Sequence, residues 1–367
     1  MVQETLDHWS AENVSQMEQA LDTIYRHHSQ GYRHDYPTQD QILDVDMSGM
    51  PCGKKAAFAK QRNRRGRQLG RVLASRYEEV VVDRLFDGKT QLNQARLSLI
   101  QAAEQTLALD EGKRSRTIVR VDAGGGSLDD VNWRLSRGYQ IHCKDYSSAR
   151  AQRLAASVQS WIDDPKVQGR QVGWVEVPAS EYVRPVQRIA VRCRKPNGQW
   201  GIGVLISMLS PAQVLALTQQ EASPDADPAT VLLSYVYLYD QRGGGVETSF
   251  KGDHQGLGST TRNKKRFEAH QMLMLLGTLA HNVLIWACSW LTRISGSCKL
   301  QHSGLLRLVR DVFHVSGFLV FDAFDQPVQI VLNQAAPLAS FLVDALRELL
   351  APAHVALNSS ESSPRKR

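Results

Sequence analysis

The stretch 41-QILDVDMSG-49 decides the fold, because from Leu43 to Met47 it alternates apolar and acidic residues before it ends in small ones. A period of two is typical of a β-strand, and the serine and glycine that follow predict a turn. A basic segment comes next, and residues 68–90 then predict two further strands. Three strands in succession are therefore expected after residue 41.

Helices and strands alternate after these three strands. The segment 91-QLNQARLSLIQAAEQTLAL-109 places apolar residues near helical spacing, which predicts a helix. Further patterns predict a strand at 117–122, a helix at 128–137, a strand at 138–145 and a helix at 148–164. The order β-β-β-α-β-α-β-α predicts an α/β fold whose mixed sheet is covered by helices.

A block of strand-like segments interrupts this alternation. It ends with 231-VLLSYVYLY-239, and turn signals such as PNG separate its segments. After Tyr239 the chain becomes helical again. The predicted domains are a short helical N-terminal segment at 1–40, the first part of the core at 41–168, a β-rich insertion at 169–237, core completion with C-terminal helices at 238–352, and a disordered polar tail at 353–367.

Composition and charge restrict the class of partner. The net charge of +7 favours a polyanion. Five cysteines without CxxC spacing argue against a zinc ribbon or a disulfide framework and indicate a reducing compartment. The apolar segment 271–291 could be taken for a membrane span, but Thr278, His281 and Asn282 interrupt it, so a buried core helix is predicted. We expect a cytoplasmic protein with no membrane partner.

Three acidic residues stand out by their location. Asp46 ends the first strand, Asp122 ends the strand at 117–122, and Glu247 follows the glycines 243–245. If the first and fourth strands are neighbours, Asp46 and Asp122 lie at one sheet edge, where ligands gather, and a crossing helix can add Glu247. Asp44 shares a strand face with Asp46 and is its rival.

Carboxylates that converge in this way repel one another unless cations neutralise them. Two Mg²⁺ (or Mn²⁺) ions prefer such oxygen ligands and clamp the attacking and leaving oxygens of an in-line phosphoryl displacement. The alternative interpretation is that these are ordinary cap and surface acids. The glycines 124–126 and 243–245 would let a nucleic acid backbone approach the metal edge. For 124–126 a tight strand-to-helix turn or a dinucleotide site is the alternative, although the spacing is not GxGxxG.

Two basic segments flank these acids in the sequence. Their density favours phosphate contact, whereas the alternative is a solvated charged face. The predicted DNA-binding residues of the first segment are Lys54, Lys55, Arg62, Arg64, Arg65 and Arg67. Those of the second are Lys264, Lys265 and Arg266.

This pattern resembles the DDE-type insertion-sequence transposases, which have a ribonuclease H-like catalytic core. Their signature Tyr-x-x-Arg-x-x-x-Glu-(six residues)-Lys is similar to Tyr239, Arg242 and Glu247, and LDVDMSG and RVDAGGG resemble the two Asp strands. The strand-rich block resembles the β insertion of cut-and-paste members. Two features depart from the signature. Four residues rather than three separate Arg242 from Glu247, and the lysine position holds His254, so Lys251 is a substitute.

The resemblance implies a fold, an activity and partners. It implies a ribonuclease H-like mixed sheet flanked by helices and interrupted by a β-rich insertion. Metal ions held by Asp46, Asp122 and Glu247 would nick DNA at transposon ends, and the freed 3′-hydroxyl would attack the other strand or target DNA. Arg242 and Lys251 would orient a phosphate. The expected setting is a homodimeric synaptic complex in the nucleoid.

Several alternatives stay open at this point. Tyr239 is either a DNA contact or a core aromatic, and Trp174 and Trp200 either stack on a flipped base or belong to a core. Only residues 1–40 precede the first Asp strand, so a truncated or decayed copy is expected, with 1–40 as a remnant of a DNA-binding domain. A structure-selective DNA nuclease and a non-catalytic DNA-binding remnant are the rival functions.

Overall fold

The protein was analysed as a computed structural model. It describes residues 8–52, 58–59, 64–219, 227–261, 264–295, 304–312, 314–324, 327–333, 339–350 and 356–360. The predicted contacts Lys54, Lys55 and Arg62 lie outside the described residues, as does the side chain of Arg64. Contacts divide the chain into two units. The first is Met1–Phe250 with Asn263–Leu275, and the second is Lys251–Arg262 with Leu276–Arg367.

The first unit is an α/β structure with one large mixed sheet. Its strands are β1 Gln41–Pro51, β2 Phe58–Ala59, β3 Arg64–Ala74, β4 Glu79–Asp87, β5 Thr117–Val121, β6 Gln140–Lys144, β7 Ile162–Asp163, β8 Arg170–Trp174, β9 Gln187–Arg194 and β10 Trp200–Ser207. The helices up to the site are α1 Ala11–His28, α2 Leu92–Leu107, α3 Glu111–Ser115, α4 Leu128–Ser136, α5 Ser148–Ala155, α6 Pro211–Leu217, α7 Pro228–Arg242 and α8 Thr248–Gly252.

The strand order places β1 at the centre of the predicted core. The sheet runs β2-β3-β1-β5-β6-β10-β9-β8-β7, and β4 pairs with β3. Strands β1, β5 and β6 are parallel, whereas β3 is antiparallel to both β1 and β4. The strand of Asp46 and the strand before Asp122 are neighbours, as their convergence requires, because Val45 of β1 lies opposite Val121 of β5. The carboxyl ends of β5 and β6 therefore lie level with Val45 in the middle of β1, and β1 continues past them along β3.

The strand-rich block joins this sheet. Strand β10 pairs antiparallel with β6, so β8, β9 and β10 extend the core sheet rather than form a separate insertion. The strand predicted at 231–239 is wrong, because these residues lie in helix α7. Helix α7 buries Leu232, Tyr235 and Val236. A short helix that is apolar on nearly all sides carries the same aromatic and β-branched residues as a buried strand, so its periodicity does not distinguish the two.

Helix α7 covers one face of the sheet. Tyr235 and Leu238 of α7 belong to one buried cluster with Ile118 of β5 and Leu205 of β10. Beneath the helix, Arg120 of β5 donates from Nη1 to the Leu238 carbonyl oxygen at 2.6 Å. This buried contact attaches the last turns of α7 to the sheet, and the residues of the candidate site follow from there.

The N-terminal segment is part of the first unit. Tyr25 of α1 is buried, and its hydroxyl donates to Glu79 of β4 at 3.1 Å. Val14 and Met17 of the same helix pack against a small cluster that includes Met272. The described part of the predicted segment 1–40 is thus packed on the core.

The second unit contains a second, smaller sheet. This unit contains helices α10 Leu305–Arg307 and α11 Ala339–Leu350 and strands β11 Gly317–Phe321, β12 Pro327–Asn333 and β13 Ala356–Ser360. It also contains π-helical segments at Asp253–Leu257 and Leu308–Val312. Strand β12 pairs antiparallel with β11 and parallel with β13. The tail predicted at 353–367 is therefore wrong for residues 356–360, and residues 361–367 lie outside the described residues.

Helix α9, Phe267–Ser295, contains the long apolar segment and runs through both units. Its portion Phe267–Ile294 is long and apolar enough to cross a membrane by length and composition alone, and 44% of its most apolar window is buried. A core helix of a soluble protein has the same properties.

Candidate active site

Asp46 is the most constrained of the three predicted acids. It lies in the middle of β1, directly after the last residue that pairs with β5. The prediction that it ends the first strand is wrong, because β1 continues along β3 to Pro51. The side chain of Asp46 is 17% exposed. Oδ1 accepts a hydrogen bond from the Met47 backbone N–H at 2.8 Å, and Oδ2 lies 2.9 Å from Nη2 of Arg242. The carboxylate therefore meets a cation on one side and keeps a partly open side.

Asp44, the rival for the first position, is committed to the core. It is fully buried, and Arg120 donates to both of its oxygens at 2.6 and 2.7 Å. Ser75 also donates to its Oδ2 at 2.5 Å. Because both carboxylate oxygens of Asp44 accept hydrogen bonds inside the sheet, the geometry favours Asp46 as the acid that faces the site.

Asp122 follows β5, the strand next to β1. Its Oδ1 accepts from the Gly124 N–H at 2.8 Å and caps a 3₁₀ turn, Ala123–Gly125. The turn ends at Gly126, where a Cβ would lie 1.8 Å from the carbonyl oxygen of Lys144 at the end of β6. This glycine triple is thus a tight strand-to-helix turn, and helix α4 begins directly after it.

Glu247 lies inside a continuous helical segment, of which the glycines 243–245 that precede it are also part. Helix α7 passes without a break into a π-helical segment, Gly243–Glu247, and then into α8. A π-turn joins residues five apart, where an α-turn joins residues four apart. The extra residue between Arg242 and Glu247 is therefore accommodated with both side chains on the same side, and Nη1 of Arg242 lies 3.4 Å from Oε1 of Glu247.

Arg242 connects two of the three acids. Its side chain is 4% exposed, and one guanidinium contacts Asp46 through Nη2 and Glu247 through Nη1. Nη2 also donates to the Val45 carbonyl oxygen at 3.3 Å. Burial alone would lower the pKa of Arg242, but the charges of Asp46 and Asp122 outweigh it and the pKa is raised.

The pKa of Asp46 depends on the charges of both other acids. Burial raises the pKa of Asp46 to about 6, Arg242 and the Met47 N–H oppose the rise, and the negative charges of Asp122 and Glu247 add to it. The pKa of this carboxyl group thus rises from its ordinary value of 3.8 mainly because it is buried, and the charges of the other two acids add a smaller part.

The donor set suits a divalent cation in its chemistry. Carboxylate oxygens from three elements are the ligands that Mg²⁺ and Mn²⁺ prefer. Across the described part of the chain, however, no three His, Cys, Asp or Glu side chains lie together so that they could hold one ion. The guanidinium of Arg242 lies between two of the acids, so an ion there would replace its contacts.

The other two signature positions differ in their surroundings. Tyr239 is half-buried, packs against the core cluster of α7, and meets the ring of His142 edge-on at 6.2 Å. Burial, with the charges of Asp122 and Asp46 adding to it, raises the pKa of its hydroxyl. Lys251 is exposed in α8 and belongs to the second unit.

Arg67 is not the exposed phosphate contact that the sequence predicted. It is buried, and its guanidinium donates to backbone carbonyl oxygens of the second basic segment at 2.8 to 3.1 Å. The carbonyls belong to Lys264, Lys265 and Arg266. Arg67 therefore holds that segment in place, while the side chains of Lys265 and Arg266 are exposed. In the first segment, Arg65 is also exposed.

Comparison with known proteins gives a distant likeness. No protein-family model matches the chain, and no curated protein matches it. A solved structure described as a piggyBac transposase synaptic complex with hairpin DNA is similar at a TM-score of 0.45 and 13% identity, over 75% of this chain. The chain spans about half of that protein, since 52% of it is covered. A likeness at this level carries no argument about function.

The two tryptophans of the strand-rich block have different surroundings. Trp174 packs edge-on against Tyr235 of α7 at 5.5 Å, as the core alternative predicts. Trp200 is 37% exposed at the start of β10. Sequence reasoning did not identify the arginines beside it, Arg192 and Arg194, although their spacing of two in a strand ahead of a PNG turn indicates one shared face.

Proposed function

We propose that this protein is a DNA transposase of the DDE type, which cleaves DNA strands at transposon ends in a metal-dependent reaction and transfers the freed end into target DNA. The observation that carries the proposal is the single guanidinium of Arg242 in contact with both Asp46 and Glu247, with Asp122 at the end of the next parallel strand. Acids from three separate elements share one electrostatic neighbourhood.

The topology supports a ribonuclease H-like core. Strands β3 and β4 form antiparallel pairs on one side of β1, and β5 and β6 continue in parallel on the other. This is the hairpin sheet followed by alternating units that the sequence pattern predicts. Asp46 directly follows the last residue of β1 that pairs with β5, and Asp122 directly follows β5, so the two acids lie at the same level of the sheet.

We assign the side chains the following roles. Asp46, Asp122 and Glu247 hold two Mg²⁺ or Mn²⁺ ions, which when bound supply an activated water and neutralise charge on the transferring phosphoryl group. The guanidinium of Arg242, buried beside these acids, binds a DNA phosphate once it leaves the carboxylates, because its planar fork matches phosphate oxygens. Lys251 is the second phosphate contact.

The test is cleavage of duplex DNA taken from the regions that flank the gene. Asp46→Asn, Asp122→Asn and Glu247→Gln remove one negative charge each with little change in shape. We expect each to abolish Mg²⁺-dependent cleavage and to weaken Mn²⁺ binding measured by electron paramagnetic resonance, while DNA binding in EDTA persists. Asp129→Asn, at an exposed carboxylate in α4, is the matched control. Cleavage that survives Glu247→Gln would refute the assignment.

A non-catalytic DNA-binding protein is the second candidate. The observation that favours it is that, in the described part of the chain, no three His, Cys, Asp or Glu side chains lie together so that they could hold one ion. This candidate predicts DNA binding without any metal-dependent cleavage by the wild-type chain. A strand-transfer assay separates the transposase from a nuclease, which would hydrolyse the DNA without joining it.

A further inference from the structure

A basic and aromatic surface surrounds the turn between β9 and β10, and we call it the Arg–Trp hairpin (residues 192–200 with Trp161). The guanidinium of Arg192 lies 4.0 Å from the ring centre of Trp161 and 4.7 Å from that of Trp200. The guanidinium of Arg194 is 6.0 Å from the Trp200 ring. Arg192 is thus held between two indoles, a cation–π arrangement that orders all three side chains.

The register of the hairpin places these groups on one face. Trp200 lies opposite Arg194, and Ile202 lies opposite Arg192. Because side chains alternate along a strand, Arg192, Arg194 and Trp200 point to the same side of the sheet. On this side Ile202 and Trp161 pack together against the buried cluster under α5. The indoles therefore have a rigid base.

The charge of this surface is uncompensated by acids. Residues 192–200 contain three basic residues and no acidic one. Within the described residues, neither Arg192 nor Arg194 pairs with a carboxylate, and Nε of Arg192 donates to the Gln171 amide oxygen at 2.7 Å. Asp163 of β7, the strand next to β8, accepts from the same glutamine at 2.8 Å. Arg194, Lys195 and Trp200 are exposed.

The hairpin projects from the edge at which the acids lie. Leu205 of β10 is opposite Lys144, the last residue of β6, so residues 200–204 continue past the end of β6. At about 3.3 Å per residue, Trp200 lies roughly 17 Å beyond that end. Asp122 follows Val121, which is level with Cys143 of β6. A DNA strand that leaves the acids along this edge can reach the hairpin.

We propose that the Arg–Trp hairpin binds unpaired nucleotides of a single DNA strand. A base stacks on the open side of Trp200, whose other side is covered by Arg192, and the phosphates contact Arg194 and Lys195. Stacking on Trp200 requires an unpaired base, because in a duplex both faces of every base are covered by its neighbours. Aromatic platforms beside a basic groove bind single strands with little sequence preference. The choice of DNA as the polymer rests on the proposed function.

The experiment measures fluorescence anisotropy of a labelled 20-nucleotide single strand and of the same sequence as a duplex, in EDTA so that cleavage plays no part. We expect Trp200→Ala to weaken single-strand binding about tenfold, in line with the loss of one stacked base, and to leave duplex binding unchanged. Trp200→Phe keeps a stacking surface and should lose less. Arg194→Ala with Lys195→Ala should weaken both ligands and reduce the salt dependence.

The matched control is Trp133→Ala. Trp133 in α4 also lies against an arginine, with Arg137 5.4 Å from its ring, but α4 is outside the hairpin. Trp133→Ala should leave single-strand binding unchanged. Equal single-strand affinity of Trp200→Ala and wild type, or an equal loss for single strand and duplex, would overturn the inference, and so would a chain that binds no single-stranded DNA. If Trp200→Ala fails to fold, Trp200→Leu and Trp200→Phe decide between stacking and size.

The two proposals fail differently. If cleavage survives Glu247→Gln while Trp200→Ala still loses single-strand affinity, the catalytic assignment is refuted and the hairpin site stands. If the acidic variants abolish cleavage and Trp200→Ala binds single strands as the wild type does, the hairpin site alone is refuted.

Discussion

His270 is a buried imidazole in α9 whose surroundings keep it neutral. Arg67 donates from Nη1 to its Nδ1 at 3.0 Å, so Nδ1 is the acceptor and the ring proton lies on Nε2. Burial, with the positive charge of Arg67 adding to it, lowers the pKa of His270 to about 4. Protonation of this ring in the folded protein would place two cations against each other.

His270 is therefore expected to make stability depend on pH. The unfolded chain takes up the proton near the ordinary value of 6.5, above the folded value of about 4, so stability is lost as pH falls through this window and the loss levels off below it. The difference of about 2.5 units corresponds to about 3 kcal/mol. His270→Asn keeps an acceptor for Arg67 and does not titrate. Urea unfolding at pH 7 and pH 4 should show a smaller loss for this variant, and equal losses would contradict the assignment.

At the residue scale the sequence could name the acids but could not choose between Asp44 and Asp46. Both lie on one face of one strand, and the choice depends on Arg120, which is 76 residues from Asp44 in sequence and buries Asp44 in an ion pair. Arg67 shows the same limit. It stands in a run of basic residues that predicts phosphate contact, and only tertiary packing buries it against the backbone of residues 264–266.

At the element scale the π-helical segment gives the three glycines different roles. A Cβ on Gly243 or Gly244 would meet nothing within 4 Å, whereas a Cβ on Gly245 would lie 2.8 Å from Oδ2 of Asp44. Asp44 cannot move aside without breaking its bonds to Arg120 and Ser75. Only the third glycine is required by the packing of the segment on β1, and the first two leave the helix surface open.

Alanine at these positions is expected to have opposite effects. Gly244→Ala should stabilise the protein by about 0.5–1 kcal/mol, because alanine loses less conformational freedom in a helix than glycine does. Gly245→Ala should destabilise it by roughly 1–3 kcal/mol, the usual cost of forcing a methyl group into a packed position. Chemical denaturation of the two variants beside the wild type gives the comparison. Equal effects would show that the segment does not pack on Asp44 as described.

Elements were predictable where their period was clear. The alternation in β1 and the helical spacing in α2 gave their type and where they begin. The sequence left open whether β1 and β5 are neighbours, and it predicted a turn at Ser48 and Gly49, where β1 continues along β3. Helix α7 was missed because it is apolar on nearly all sides, so residues 231–239 lack the polar stripe that distinguishes a helix. The π-helical segment was visible only as a one-residue departure from the signature, because its geometry depends on packing against β1.

At the scale of the whole molecule, the positions of the cations determine where the net charge of +7 can bind a polyanion. Arg67 holds the backbone of residues 264–266, so the side chains of Lys264 and Lys265 can be changed without removing these bonds. Arg266 contributes one further bond, from its guanidinium to the Trp9 carbonyl oxygen at 3.1 Å. The segment is therefore a basic surface on a fixed support, as a phosphate-binding surface requires.

Neutralising this surface should weaken DNA binding to the same extent for every sequence. The triple change Lys264→Ala, Lys265→Ala and Arg266→Ala should lower affinity for every duplex sequence, and the slope of log affinity against log salt should fall by about 0.9 for each DNA phosphate that the protein no longer neutralises. Lys89→Ala and Arg153→Ala, at exposed cations elsewhere in the first unit, are the controls and should leave the slope unchanged. Arg67→Ala should instead lower the free energy of unfolding, because three carbonyl groups would be left without their donor. An unchanged salt slope in a folded triple variant would exclude this segment from the DNA-binding surface and leave the Arg–Trp hairpin and the residues around Arg242 to bind the phosphates.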